Sequence, residues 1–236
     1  QDISKPGSSG SIIRNNIVVN CLGELEEETG KYSCNGIYLD EGTRDVTVKH
    51  NTIAHIGYAA IFLNITSNNK IEFNTVYDAP IPFMYAGMYK PSIIENNVFV
   101  TADRNGSTAW WRNSFQRLNY QYNNAKGIFD YNTYASHYTK ENAFQPFVDF
   151  AAWKTSTGQD INSSYDVSRL PEGETEKLFY NSSKNKFVYN LGNATFRDVY
   201  GKLVKDTFSL KPFTSQILIG KNFEQIILYF NIRPLI

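Results

Sequence analysis

The hydrophobic and polar positions in the first half of the chain repeat around five asparagines. An apolar residue lies three positions before each asparagine, and another lies two positions after it. Polar residues alternate with these apolar ones, which is the period-two pattern of half-buried β-strands. The asparagines are Asn16, Asn51, Asn74, Asn97 and Asn132.

The spacing of these asparagines predicts a coiled stack of short strands. Successive gaps are 35, 23, 23 and 35 residues, and a repeat near 23 residues built from β-type runs is typical of a solenoid. Each asparagine then lies at a bend, where its residue type tolerates a left-handed backbone and its amide can hydrogen-bond along the stack. We interpret this ladder as structural and assign it no catalytic role.

A third strand per coil is predicted from the runs NGIYLDEG, AAIFLNIT and PFMYAGMY. We align Ile61 with Met84, both facing the core, which leaves an aromatic stripe on the outer face. Because flat aromatic rings desolvate well against sugar rings, the stripe is a candidate glycan platform, although a slip of one residue would bury it. It consists of Tyr38, Phe62, Tyr85 and Trp110 or Trp111.

The asparagine ladder with three strands per coil resembles the right-handed parallel β-helix proteins of the pectate-lyase-like superfamily. The resemblance covers residues 11–134 and implies an all-β fold of about five coils within residues 1–145. That superfamily includes polysaccharide lyases, polygalacturonase-type glycosidases, uronan epimerases and phage tailspikes. Because no cap precedes the first coil, we expect further coils upstream of residue 1.

The pattern changes in the second half of the chain. We expect residues 146–176 to form a capping helix or loop, and 177–220 to form a small antiparallel β module. The stretches WKTSTGQDINS and FRDVYGKLVKDTFSLKPFTSQILI resemble the ending of secreted bacterial β-helix proteins from polysaccharide-degrading systems. The apolar tail, residues 221–236, departs from that ending and is either an extra strand or a non-native terminus.

Two cysteines flank an acidic insertion. Removing the 12 residues between Cys21 and Cys34 from the first gap restores the spacing of 23, so the insertion is a loop attached to one coil. A disulfide would staple this loop in an oxidising compartment, and two unpaired thiols are the alternative.

The charge balance limits the partners. The 23 basic and 23 acidic residues cancel, so no basic field attracts nucleic acid, and no run of apolar residues is long enough to span a bilayer. The resemblance implies a secreted, periplasmic or cell-surface protein that contacts a polysaccharide, and we expect a monomer.

The chain contains residues of the types used in catalysis, but their positions in the sequence do not define a particular active site. A glycosidase needs two facing carboxyl groups, and no second carboxylate opposes the outward acidic pair. A lyase needs a base and a group that neutralises the uronate, and Lys90, Arg112 and Tyr85 could serve in type or simply be solvated surface groups.

Separately, His55 could pair with Asp78 on the neighbouring coil as an acid/base unit, or both could belong to a polar surface stripe. The stacked carboxylates Glu72 and Glu95 could bind Ca²⁺ or simply be solvated. The candidates are Asp40, Glu41, Lys90, Arg112, His55 and Asp78.

The resemblance supplies no catalytic residue. The NTD, DD, GHG and RIK signatures of polygalacturonase-like enzymes and the RxPxxR signature of pectate lyases are absent. We therefore expect part of a carbohydrate-active protein that binds and cleaves polysaccharide, by elimination or hydrolysis, with its catalytic centre either here or outside this chain. A non-catalytic glycan-binding or structural module and a tailspike-like adhesin are the alternatives.

Overall fold

The structure is a computed structural model that describes residues 9–28, 31–101, 127–137, 149–166, 168 and 170–228. The chain divides into two compact units, Gln1–Arg169 and Leu170–Ile236. Parallel strands build the first unit and antiparallel strands build the second. Among the described residues, no helix has the length and apolar character needed to cross a membrane.

The first unit is a right-handed parallel β-helix whose coils contribute strands to three parallel sheets. The first sheet contains β1 (Ile12–Arg14), β6 (Thr47–Lys49), β9 (Lys70–Glu72), β12 (Ile93–Glu95) and β14 (Ile128–Asp130). The second contains β2 (Ile17–Val19), β7 (Thr52–Ala54), β10 (Thr75–Tyr77), β13 (Val98–Thr101), β15 (Thr133–Ser136) and β16 (Ser164–Asp166). The third contains β5 (Ile37–Leu39), β8 (Ala59–Ser67) and β11 (Ile81–Lys90), and a two-stranded hairpin is formed by β3 (Leu25–Glu26) and β4 (Lys31–Tyr32).

The strand register follows the asparagine spacing. Val48 pairs with Ile71, which pairs with Ile94, and all three are fully buried. These inward side chains form one continuous apolar column because each coil repeats the same alternation. The charged residues that follow them in each strand are also in register, forming an outer column of Arg14, Lys49, Glu72, Glu95 and Asp130.

The bend between the first and second sheets uses a left-handed residue in every coil. The left-handed residue is the one that precedes each ladder asparagine, rather than the asparagine itself. This leaves the asparagine extended enough to direct its amide into the stack. The φ values are +56° at Asn15, +54° at His50, +56° at Phe73, +58° at Asn96 and +55° at Tyr131.

The coils continue further than the sequence predicts. Strand β16 pairs in parallel with β15, so the prediction that the β-helix ends at residue 145 is wrong. The helix α1 (Phe150–Thr157) lies between these strands, begins after the cap Asp149 and ends at Gly158, whose φ is +69°. Trp153 of α1 is buried and packs edge-on against Phe129 at 5.8 Å between ring centroids. The expected capping segment therefore contains both a helix and one more strand of the β-helix.

The second unit is the predicted antiparallel module, and it begins slightly before residue 177. Its sheet has the order β17 (Thr175–Tyr180), β20 (Ser215–Gly220), β18 (Phe187–Asp198) and β19 (Leu203–Leu210). Its core is aromatic, with Phe179, Tyr189 and Phe208 in mutual contact. In the apolar tail, a single 3₁₀ turn (Phe223–Gln225) precedes β21 (Ile227–Leu228), which pairs with β18 as an extra strand. Residues 229–236 lie outside the described part of the chain.

Candidate functional site

The asparagine ladder runs unbroken through five coils. Each Nδ2 donates to the Oδ1 of the next asparagine, at 2.9 Å from Asn16 to Asn51, 3.0 Å from Asn51 to Asn74, 3.0 Å from Asn74 to Asn97 and 3.1 Å from Asn97 to Asn132. The same Oδ1 atoms accept from backbone N–H groups, and the remaining Nδ2 protons reach backbone carbonyls. Because the four buried asparagines use these donors and acceptors within the stack, the ladder holds the coils together.

The ladder ends on a buried carboxylate that the sequence reasoning missed. Asn132 donates to Asp160 at 3.2 Å, and Asp160 also accepts from Trp153 Nε1 at 2.8 Å, Ser163 Oγ at 2.6 Å and Tyr134 Oη at 3.2 Å. Asp160 is fully buried, and its burial raises the pKa of the carboxyl group, although the four hydrogen bonds act in the opposite direction. Asp160 terminates the ladder. In the sequence, the one feature that points to this role is its position in GQDINS, directly after the helix.

Two of the predicted aromatic residues lie on the outer face of the third sheet. Tyr38 and Phe62 are in register on β5 and β8, and their rings stack with centroids 4.8 Å apart. Tyr38 is 44% exposed, whereas Phe62 is half-buried beneath it. The ring of Tyr38 is therefore accessible to a ligand, and the ring of Phe62 supports it through an apolar contact. A role in binding stays a prediction.

The assignment of Tyr85 to this face is wrong. Phe62 pairs with Met84, and Tyr85 pairs with the core residue Leu63. Tyr85 is buried, with its ring 6.1 Å from Phe129. The cause is a turn of different length, because residues 55–58 connect β7 to β8 whereas residues 78–80 connect β10 to β11. A constant offset from the asparagines therefore misaligns β11 by one residue. The predicted residues Trp110, Trp111 and Arg112 lie outside the described residues.

A polar cluster adjoins the exposed ring of Tyr38. Asp40 Oδ1 accepts from Tyr38 Oη at 2.8 Å, from Asn64 Nδ2 at 2.9 Å and from the backbone N–H of Glu41 at 2.8 Å. The hydrogen bond from Asn64 contributes most to lowering the pKa of Asp40, and burial contributes most to raising the pKa of Tyr38. The cluster is thus an ionised carboxylate beside a neutral phenol, which suits the acceptance and donation of hydrogen bonds better than proton transfer.

The other charged candidates lie apart from this cluster. Glu41 is exposed in the turn after β5, and Lys90 is exposed at the end of β11. On the first sheet, Glu72 and Glu95 are in register and Lys49 Nζ lies 4.0 Å from Glu72. No group of three or more His, Cys, Asp or Glu side chains within the described residues could hold a metal ion. Calcium binding stays a prediction that nothing in this arrangement favours.

His55 and Asp78 meet at the turn between the second and third sheets. Nδ1 of His55 lies 2.7 Å from Oδ2 of Asp78, one coil away, and the side chains are 42% and 19% exposed. The carboxylate fixes Nδ1, so Nε2 is the nitrogen that could exchange a proton with a ligand. Further along the same column, Thr101 Oγ1 donates to Ser136 Oγ at 3.0 Å. The column therefore contains the His–carboxylate pair, whereas Thr101 and Ser136 are buried, so the prediction of a polar stripe on the surface is wrong for these two residues.

The two cysteines form a disulfide. Cys21 and Cys34 are joined with their Cα atoms 5.9 Å apart, and the hairpin of β3 and β4 lies between them. The disulfide joins the two ends of the acidic loop, which is the first of the two alternatives predicted from the sequence. A disulfide of this kind is typical of an oxidising compartment.

Three parallel sheets around an apolar column with a buried asparagine ladder define the first unit as a right-handed parallel β-helix. Residues 3–99 match the family model described as right handed beta helix region. The chain has no match among curated proteins and none among solved structures. The family match extends to the fold alone, and any polysaccharide chemistry is a matter of proposal.

Proposed function

We propose that the β-helix unit binds a polysaccharide on the outer face of its third sheet. Tyr38 stacks against the apolar face of a sugar ring, and Asp40 and Asn64 hydrogen-bond to its hydroxyl groups. The observation that carries the proposal is the exposed Tyr38 ring, 4.8 Å above Phe62, with its hydroxyl held 2.8 Å from a carboxylate. An aromatic ring beside fixed polar groups suits a ligand that has both an apolar face and hydroxyls.

The rigidity of this face supports binding. Phe62 supports the ring of Tyr38 from below, and Asn64 donates to Tyr38 Oη at 3.0 Å as well as to Asp40. A side chain that is already ordered loses little conformational entropy when a ligand binds. The lowered pKa of Asp40 keeps this carboxylate an acceptor at neutral pH, so it does not serve as a general acid.

Binding to a panel of neutral and acidic polysaccharides, measured by calorimetry with the full chain, tests the proposal. Tyr38→Ala is expected to weaken binding about fivefold, since an aromatic contact contributes about 1 kcal/mol and a tenfold change corresponds to about 1.4 kcal/mol. The matched control is Tyr131→Ala, because Tyr131 is similarly exposed but lies at the bend between the first and second sheets, away from β5. Equal effects of both substitutions, or no polysaccharide bound, would refute the proposal.

Polysaccharide cleavage is a second candidate, favoured by the contact between His55 and Asp78. In an elimination, Nε2 of neutral His55 would remove the proton next to the carboxyl group of a uronic acid. The bond between the sugar carbon and the glycosidic oxygen then breaks to give an unsaturated sugar, and the proton held on Nε2 passes to the leaving oxygen, which becomes a hydroxyl. The ultraviolet absorbance of the unsaturated product would reveal this activity, and His55→Ala should abolish it. If the His55→Ala variant still cleaves the polysaccharide, the pair of His55 and Asp78 is not the catalytic base.

A further inference from the structure

The second unit contains a groove that the proposed function does not use. It lies beside β17 and the start of β18, next to the turn at residues 181–186 that joins the two strands. Its volume is about 590 Å³. Sites for small ligands range over about 300–1,000 Å³, so the groove has the capacity for one or a few sugar residues.

The floor of the groove is aromatic and fixed by the core of the module. Phe179 packs against Tyr189 at 5.1 Å and against Phe223 at 6.1 Å between ring centroids. Phe187 lies 4.7 Å from Tyr189, whose hydroxyl donates to the carbonyl of Tyr180 at 2.9 Å. A ligand with an apolar face would therefore meet a preformed apolar surface.

The charge over this floor is positive. Lys177 Nζ lies 5.7 Å from the ring centroid of Phe179 and 6.0 Å from that of Phe223. Lys186 is exposed on the same groove, and the described residues that line it include no Asp or Glu. Two ammonium groups over an apolar floor complement a ligand that combines an apolar face with an anionic group.

The rim of the groove is polar and held in place by one buried side chain. Asn181 Nδ2 donates to Asn185 O at 2.7 Å and to Leu210 O at 3.1 Å, and its Oδ1 accepts from the backbone N–H of Ser183 at 3.0 Å. These bonds shape the turn, so that Ser182 and Asn185 remain exposed at the rim. Several hydroxyl and amide groups around an apolar floor favour a ligand rich in hydroxyls over a flat aromatic acid.

We propose that the second unit binds an acidic saccharide, carboxylated or sulfated, in this groove. The anionic group pairs with Lys177 and Lys186, and the sugar ring lies against the partly exposed rings of Phe187 and Phe223. This site belongs to the second unit alone, so it stands independently of the polysaccharide face on the β-helix.

The test is calorimetric titration of the full chain with three oligosaccharides of equal length: an oligogalacturonate, a sulfated dextran and a neutral dextran. We expect at least one acidic probe to bind, more weakly as salt is raised, and the neutral probe not to bind at this site. Comparing the carboxylated and sulfated probes identifies the preferred anionic group. Lys177→Gln/Lys186→Gln is expected to weaken binding of the acidic probe by about tenfold or more.

The matched control is Lys202→Gln/Lys205→Gln, which changes net charge equally at exposed lysines outside the groove. It should alter the affinity by less than about twofold, and both double variants should keep the wild-type melting temperature because all four lysines are exposed. Equal losses in the two variants would mean that only overall charge attracts the probe. That result, or no binding of either acidic probe, would overturn the proposal.

The variant Tyr38→Ala separates this site from the polysaccharide face. Binding of the acidic probe that survives Tyr38→Ala but is lost in Lys177→Gln/Lys186→Gln belongs to the groove. The reverse pattern would assign the binding to the β-helix and contradict the proposal for the second unit.

Discussion

Replacing Asp160 by alanine should destabilise the β-helix by several kcal/mol. Asp160 is fully buried and accepts hydrogen bonds from Asn132, Tyr134, Trp153 and Ser163. Alanine removes every acceptor at once, and each buried donor left without a partner costs about 1–3 kcal/mol. Because Ser163 can rotate and water can enter the space, we expect a net loss of about 3–5 kcal/mol, which is less than the sum over the four donors.

Urea denaturation followed by tryptophan fluorescence measures this loss, since Trp153 is buried beside Asp160. The matched control is Asp45→Ala, because Asp45 belongs to the same unit and has the same left-handed backbone, with φ +55° against +54° at Asp160, but the hydrogen bonds it accepts from Ser9 and Asn68 are exposed. The control should change the free energy of unfolding by less than about 0.5 kcal/mol beyond the backbone effect that both share. Equal losses in the two variants would refute the reasoning that Asp160 terminates the ladder through its hydrogen bonds.

Because Asp160 titrates, the free energy of unfolding measured in the same experiment should depend on pH. Burial raises its folded-state pKa above the unfolded value of about 3.9, so the folded state favours the protonated form. The increment of stability that comes from this pKa difference is therefore fully present below about pH 3.9 and is lost as the pH rises through the folded-state pKa, whereas the hydrogen bonds to Asp160 remain. Asp160→Asn, which cannot titrate, should lack this slope. An unchanged slope in that variant would contradict the raised pKa.

Two further predictions concern the disulfide and the polar cluster. Cys21→Ser/Cys34→Ser should lower the free energy of unfolding by about 3 kcal/mol, because the disulfide closes a loop with a sequence separation of 13 residues. A reductant should produce the same loss in the wild type and no loss in the variant. Since the pKa of Asp40 is lowered below its usual value of about 3.9, the carboxylate stays ionised down to a lower pH than usual, and any glycan affinity that depends on Asp40 should be constant between about pH 5 and 8. A calorimetric affinity that varies over this range would contradict the lowered pKa, and Asp40→Asn should weaken binding equally at both ends.

The ladder and the charged outer column follow from the sequence because every coil turns at the same kind of bend. Asn51, Asn74 and Asn97 are each separated by one identical coil, so position in the chain translates directly into position in the stack. The third sheet was predicted less well. The turn between β10 and β11 is one residue shorter than the turn between β7 and β8, and this difference moves Tyr85 into the core. The residue types in the turn do not indicate that it is shorter.

The last coil was missed because its strand does not follow the repeat. Helix α1 is inserted between β15 and β16, so Thr133 pairs with Ser164, outside the spacing of 23 residues. The importance of Asp160 depends on donors from three separate segments, which only the folded chain brings together. The contact of His55 with Asp78 could be predicted from shared coil position, but its short distance could not.

Cross-linking across the first sheet tests most directly whether residues one coil apart lie above one another. Lys49 and Glu72 are register partners on β6 and β9, at about the 4.8 Å spacing of neighbouring strands, whereas Glu95 lies two coils from Lys49. A disulfide requires Cα atoms within about 7 Å, so oxidation should join Lys49→Cys to Glu72→Cys and fail to join Lys49→Cys to Glu95→Cys, as read by mass spectrometry of digested protein. Failure of the first pair, or equal cross-linking of both pairs, would contradict the coiled architecture.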